Sequence, residues 1–233
     1  MKFFYLTLLI ILLVVDISCR FKITKRRFGT YLKRFSNWPE EKKSTLSNDW
    51  GNSSTIFLDR HDVNCGIGAL SGFRLTRQGE TKYRYDYQCI MPQNCSDNCI
   101  ANIKKVDQEK CKKLSTYPNI LGTSKGNEYG KSTNYLMLHN VNCPEGFILT
   151  QFHLRRKPPK IYYSFTCCPA VTKECKSILT SPSDYGDYGA IYLDRQNVQV
   201  PDPKAQAVTG FKLNTDYGKR EYYYKVDFCV ITG

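Results

Sequence analysis

The chain is poor in methionine and tryptophan, with three and two among 233 residues, and it holds only three histidines, His61, His139 and His153. It contains no H-E-x-x-H pair, no nucleophile elbow and no glycine loop able to cradle phosphate. Paired carboxylates at short spacing are few, among them Asp184 and Asp187 in a Tyr-Gly turn. These absences argue against an enzyme, and no cofactor or metal site is expected. Beyond Val15 no run is apolar enough to cross a membrane as a helix, which takes about 20 residues. Helical spacing of apolar residues is also scarce. Apolar and polar residues alternate instead, and Tyr (17) and Phe (12) are abundant, as half-buried strands require.

The N-terminus has Lys2, an apolar run from Phe3 to Val15, and then Asp16-Ile17-Ser18-Cys19-Arg20. This reads as a secretory signal peptide over 1–19; Asp16, three before Cys19, excludes a lipobox. Loss of Cys19 leaves an even ten of the 11 cysteines to pair in an oxidising compartment, so the expected location is extracellular or a secretory granule. Asn52-Ser53-Ser54 and Asn94-Cys95-Ser96 make Asn52 and Asn94 candidate glycosylation sites. A formal charge of +13 attracts acidic surfaces, either anionic lipid or sulfated glycan; export argues against nucleic acid.

Residues 20–48 form a basic arm. Its first part, Arg20 to Arg34, carries no acid and includes Arg26, Arg27, Phe28, Lys33 and Arg34, the candidate membrane contacts. As a helix it sets Phe28, Leu32 and Phe35 on one face and cations on the other, although Gly29 weakens that helix. A solvated arm, or a propeptide cut near Lys25-Arg26-Arg27, is the alternative.

Residues 49–233 read as three divergent copies of one unit, at 49–89, 128–167 and 184–229, with cysteine-rich linkers at 90–127 and 168–183. Each copy opens on an acidic-aromatic-glycine triplet: Asp49-Trp50-Gly51, Glu128-Tyr129-Gly130 and Asp184-Tyr185-Gly186. A run that opens on apolar residues follows (Ile56 to Cys65, Tyr135 to Cys143, Ile191 to Val198), then Leu70-Ser71-Gly72-Phe73, Leu149-Thr150-Gln151-Phe152 or Val208-Thr209-Gly210-Phe211. Each closes on a tyrosine-rich strand ending at Cys89, Cys167 or Cys229. Each copy is expected to be an antiparallel meander of three or four strands that begins in the apolar run, with a short helix from Ile103 to Leu114 in the first linker. One such sheet buries too little to stand alone. The expected fold is therefore all-β and disulfide-stapled, three antiparallel repeats in a pseudo-threefold β-prism-like or sandwich arrangement.

Recurrence of the cysteines at the ends of the first and last strands predicts the pairs Cys65–Cys89 and Cys143–Cys167. Val200 stands where the third copy would need its first cysteine, and the pairing of Cys95, Cys99, Cys111, Cys168, Cys175 and Cys229 stays open. His61 and His139 correspond, with Gln196 in the third copy, which favours hydrogen bonding at a strand end over metal ligation. The triplets, with Trp50, Tyr129 and Tyr185 beside Asp49, Glu128 and Asp184, are the candidate ligand-binding residues: a ring can stack on a sugar while a carboxylate accepts its hydroxyl protons. The competing reading is a turn, with glycine supplying positive φ and the acid accepting a backbone N–H. Tyr83, Tyr85 and Tyr87 share a strand face, as do Tyr222 and Tyr224, which suits a core.

The stretch from Cys143-Pro144-Glu145-Gly146-Phe147 to Phe165-Thr166-Cys167-Cys168-Pro169 resembles the repeat of dermatopontin-like secreted matrix proteins. It is also similar to the cysteine-stapled β-repeats at the C-terminus of apicomplexan perforin-like proteins. The first resemblance implies matrix or cell-surface adhesion with glycan binding, and the second a β-prism that docks on membrane lipid. In dermatopontin-like repeats the Asp-Arg pair precedes the last strand; here Asp59-Arg60 and Asp194-Arg195 lie earlier. No pore-forming domain precedes the repeats in this sequence, so lytic activity is not expected. The expected function is a secreted, non-enzymatic recognition module that binds membrane lipid or a cell-surface or matrix glycan. The alternative is a self-associating structural component of a matrix, coat or granule.

Overall fold

The computed structural model describes residues 40–91, 110–121 and 132–232. The leader, Arg26, Arg27, Phe28, Lys33, Arg34, Asn94, Cys95, Cys99, Glu128 and Tyr129 lie outside the described residues. Three copies of one element order follow each other. The first has β1 (Glu40–Ser44), β2 (Asn48–Asp49), a 3-10 helix (Thr55–Arg60), β3 (Asp62–Asn64), β4 (Ala69–Gln78) and β5 (Lys82–Ile90). In the second these are β6 (Lys112–Ser115), β7 (Asn119–Ile120), a 3-10 helix (Thr133–Leu138), β8 (Val141–Asn142), β9 (Phe147–Lys157) and β10 (Lys160–Pro169). The third has β11 (Thr172–Leu179), β12 (Ser183–Asp184), a 3-10 helix (Ala190–Arg195), β13 (Asn197–Gln199), β14 (Gln206–Asp216) and β15 (Glu221–Ile231).

Three sequence expectations are corrected here. The copies begin at the edge strands β1, β6 and β11, so the end of the basic arm and parts of both linkers are sheet; Leu114 lies in β6, not in a helix. The apolar runs do not start as strands. Thr55, Leu58 and His61 are buried, as are Thr133, Leu136 and His139, and Ala190, Leu193 and Gln196. That spacing of three is the 3-10 period, masked because residues between the buried positions, such as Ile56, Phe57, Tyr135, Met137 and Tyr192, are apolar or aromatic too. Finally, no copy is a self-contained meander. The order in the first sheet is β1-β5-β4-β13, in the second β3-β9-β10-β6, and in the third β11-β15-β14-β8. Each copy thus donates one short strand to a neighbour's sheet, β3 to the second, β8 to the third and β13 to the first, and the exchange closes on itself.

A bulge in each long hairpin receives the donated strand. Ser71, Thr150 and Thr209 are the extra residues in β4, β9 and β14. Their carbonyls accept the N–H groups of Val200 (3.0 Å), Cys65 (2.9 Å) and Cys143 (2.8 Å). The bulges turn backbone toward the strand that arrives, as an extra residue in a ladder does.

The core lies on the pseudo-threefold axis. Phe73, Phe152 and Phe211, one per sheet, meet at centroid distances of 4.9, 4.9 and 5.0 Å. Tyr85, Tyr163 and Tyr224 surround them, each against a phenylalanine of the next sheet at 5.7–5.8 Å. All six rings are buried. These tilted and edge-on pairs suit the ring quadrupoles.

Cys65–Cys89 and Cys143–Cys167 are bonded as the spacing predicts, each joining a donated strand to the sheet it left. The open pairs include Cys111–Cys168 and Cys175–Cys229, which tie the edge strands β6 and β11 to their neighbours. Strand register identifies Phe228, not Cys229, as the counterpart of Cys89 and Cys167, since these three face Val208, Leu70 and Leu149. The third corner therefore has buried Val200 and Phe228 where the others have a disulfide. The four disulfides among the described residues are consistent with an extracellular location. Replacing Cys143 and Cys167 together by Ala is expected to cost about 2–4 kcal/mol, read as a lower urea midpoint with unchanged far-ultraviolet dichroism in buffer.

Candidate surface-recognition site

The triplets are the expected ligand contacts. Asp49 accepts the Gly51 N–H at 2.6 Å, and Asp184 accepts that of Gly186 at 2.5 Å. Both glycines have φ of +56°, and a Cβ on either would overlap the ring of Phe57 or Tyr192. Tyr185 is only 4% exposed; it stacks on Tyr188 at 4.3 Å and accepts that residue's hydroxyl proton at 2.9 Å. Trp50 is half-buried against the core. Both described triplets are turns, and the ring of Tyr185 has no free face to offer a sugar.

Pairing also reassigns the second copy. Asn48 and Asp49 pair with Tyr83 and Lys82, Ser183 and Asp184 with Tyr222 and Glu221, and Asn119 and Ile120 with Ile161 and Lys160. The N–H groups of Trp50, Tyr185 and Leu121 then bond Thr81, Arg220 and Pro159 of the adjoining hairpins. Ile120-Leu121, not Glu128-Tyr129, therefore corresponds to Asp49-Trp50 and Asp184-Tyr185. The second copy has exchanged an acid for an exposed isoleucine.

The turns bring the three hairpins to one end of the molecule. Ala190 N–H donates to Ser53 O at 2.7 Å and Thr133 N–H to Tyr188 O at 2.9 Å, so these segments meet. Arg156 of the second hairpin pairs with Asp59 at 3.1 Å and Arg77 of the first with Asp194 at 2.5 Å, which locks each hairpin to the preceding copy's 3-10 helix. The Asp-Arg pairs singled out in the sequence serve this contact, with Arg60 and Arg195 lying over the rings of Phe57 and Tyr192.

At that end the second hairpin stands apart. Arg155-Arg156-Lys157-Pro158-Pro159-Lys160 contains no acid. Among the described residues Lys157 and Lys160 have no ion-pair partner. Beside this tip Tyr117 is 81% exposed and Ile120 62% exposed. Leu46, at the position in the first copy that Tyr117 holds in the second, is 85% exposed, and Tyr217 in the third hairpin is exposed as well. Asn48 and Asn119 fix this local geometry by donating to the carbonyls of Leu46 and Tyr117 at 3.1 and 3.3 Å. Exposed rings and aliphatics next to unpaired cations form a surface able to attract anions and to bury apolar atoms on contact. Sequence reasoning missed it, although the acid-free run from Arg155 to Lys160 was visible.

The remaining candidates sit elsewhere. Asn52 is exposed in a turn at φ of +51°, whereas Ser54 of its sequon is buried. Among the described residues no three His, Cys, Asp or Glu side chains converge as a metal site. His61 and His139 belong to the fold. Thr45, Thr116 and Thr180 each accept the N–H of Tyr85, Tyr163 or Tyr224 at 3.0, 3.0 and 2.8 Å. Their hydroxyls also bond His61 Nδ1 (2.9 Å), His139 Nδ1 (2.8 Å) and Gln196 Oε1. Burial lowers both imidazoles to about 4, with Arg60 and His153 adding to the effect at His61. In comparisons with known proteins, no family model, no curated protein and no solved structure matched the chain.

Proposed function

We propose that this chain is a secreted, non-enzymatic recognition module whose hairpin end docks on an anionic membrane surface. The observation that carries the reading is the second hairpin, where unpaired Lys157 and Lys160 adjoin exposed Tyr117 and Ile120. Cations near an anionic bilayer contribute about 1 kcal/mol each, and interfacial rings and aliphatics add salt-resistant burial. The net charge of +13 favours the encounter, the apolar run from Phe3 to Val15 and the disulfides support export, and the resemblance to perforin-like tails points to the same surface. Assembly into a coat is less favoured, because the edge strands carry Lys42, Lys43, Lys112, Lys113, Lys173 and Lys176, which oppose edge-to-edge pairing.

The test is flotation of the oxidised protein with anionic and neutral vesicles across a salt series. Lys157→Gln with Lys160→Gln is expected to weaken anionic-vesicle binding roughly thirtyfold. Tyr117→Ala with Ile120→Ser is expected to remove the part that survives high salt. Binding lost instead with residues 20–34 would transfer the role to the arm, and no binding to any vesicle would overturn the reading.

A further inference from the structure

A groove of about 470 Å³ crosses the outer face of the first sheet. Side chains at alternate positions of its four strands line it, because in a sheet alternate residues share a face. Gly72 forms part of the floor. A Cβ there would lie 2.7 Å from the Val198 carbonyl and 3.1 Å from Gln199 Oε1. Without a side chain at Gly72, Gln199 of β13 reaches over β4 and donates to Gln88 of β5 at 2.8 Å, and Gln88 donates to Glu40 of β1 at 2.5 Å. This amide bridge is one wall of the groove.

Along the groove Asp86 accepts from Ser44 at 2.6 Å and lies 2.7 Å from Arg84 Nε. Burial alone would raise this carboxyl, but hydrogen bonds from Ser44 and Thr76 and the Arg84 guanidinium outweigh it and hold it below the usual range. Arg74 lines the groove and is anchored through Nε to the Asp194 carbonyl at 3.0 Å, and Lys42 is exposed on the rim. The groove therefore presents the exposed Lys42 and the anchored Arg74 and Arg84 beside amides and a carboxylate that can exchange hydrogen bonds with hydroxyls.

The other two sheets serve as internal controls. At the position of Gly72 the second sheet has Gln151, which fills the floor and bonds Asp62 at 2.9 and 3.0 Å and Thr166 at 3.1 Å. The third sheet keeps a glycine, Gly210, but places Asp227 where the first has Gln88, and Ser177 and Lys225 occupy that carboxylate. Among the described residues the first sheet alone joins a glycine floor to an amide bridge, with Lys42 and Arg74 outside any ion pair and Arg84 paired with Asp86. The fold needs no such difference, since the same backbone forms without it.

We infer that this groove binds a sulfated sugar unit, with Lys42, Arg74 and Arg84 taking the sulfate and Asp86 with the Gln88–Gln199 bridge taking ring hydroxyls. Cations alone would suit any anion. The amide pair and the carboxylate between them are what a sugar's hydroxyls require, and a bare anion would gain nothing from them.

Calorimetric titration of the oxidised protein with a sulfated glycosaminoglycan disaccharide, its desulfated counterpart and inorganic sulfate tests the inference. The sulfated disaccharide should bind, and both controls should bind at least about tenfold more weakly. Lys42→Ala with Arg84→Gln should lower its affinity at least about tenfold, and the exposed single change Lys42→Glu should weaken it without altering the melting temperature. The hairpin variants at Lys157, Lys160, Tyr117 and Ile120 should leave it unchanged, so the groove and the membrane reading fail separately. No binding, equal binding of inorganic sulfate, unaltered affinity in both groove variants, or displacement of the disaccharide by anionic vesicles would each overturn the inference.

Discussion

Replacing Phe152 by Ala is expected to cost about 3–5 kcal/mol, the range for deleting a buried aromatic ring from a close-packed core. The ring touches Phe73 and Phe211 on the axis, with Tyr85 and Tyr163 beside it. No single sheet can collapse into the space left, because each is held in place by the strand it receives from its neighbour. The loss should appear as a fall in the urea midpoint with an unchanged slope, since the surface exposed on unfolding hardly alters. A conservative change at the same site, Phe152→Leu, should cost markedly less. If Phe152→Ala costs under about 1 kcal/mol, the axial triad is not the centre of the core.

Acid is expected to destabilise the fold between pH 6.5 and pH 4 through His61 and His139. Each buried imidazole is hydrogen-bonded through Nδ1 to a threonine hydroxyl, and burial lowers its pKa to about 4, so it is neutral in the folded state near pH 6. In the unfolded chain each titrates near 6.5. Between those values the unfolded state binds more protons, so stability falls as pH falls and changes no further from this cause below about 4. The loss is about 2–3 kcal/mol per imidazole. Gln196 supplies the control, because an amide in that position already meets Thr180 in the third copy and also donates to the Tyr222 carbonyl at 3.1 Å. The double variant His61→Gln with His139→Gln should therefore fold and should lose the slope of stability against pH over this window. If the slope is the same in the variant, the protonation that matters lies elsewhere.

Much of this architecture is legible in the chain. Alternation in Tyr83 to Cys89 and in Tyr222 to Phe228 reports two-sided strands, and the copy-to-copy recurrence of Leu70 to Phe73 reports three of them. The spacing of Cys65 and Cys89, repeated in Cys143 and Cys167, was enough to pair them. The triplets were harder to read. In the sequence, Glu128-Tyr129-Gly130 resembles its counterparts more closely than Ile120-Leu121-Gly122 does, yet Ile120 and Leu121 hold the corresponding place beside their hairpin. Conformation is set there by backbone pairing, which leaves little mark on side-chain identity. Thr45, Thr116 and Thr180 leave no mark for a similar reason: a lone threonine near a strand end has no signature until the imidazole or amide it meets is brought to it from 16 or 23 residues away.

The amino-acid sequence by itself determined the strand class, the number of copies and two of the disulfides, because alternation, recurrence and cysteine spacing act over short stretches of chain. Only the tertiary structure decided which sheet each short strand joins, that three hairpins share one end, and that Gly72 opens a groove which Gln151 closes in the neighbouring sheet. A strand of two or three residues such as β8 fits any edge with the right register; what selects its partner is closure of all three sheets around one aromatic core, a condition that no local segment contains.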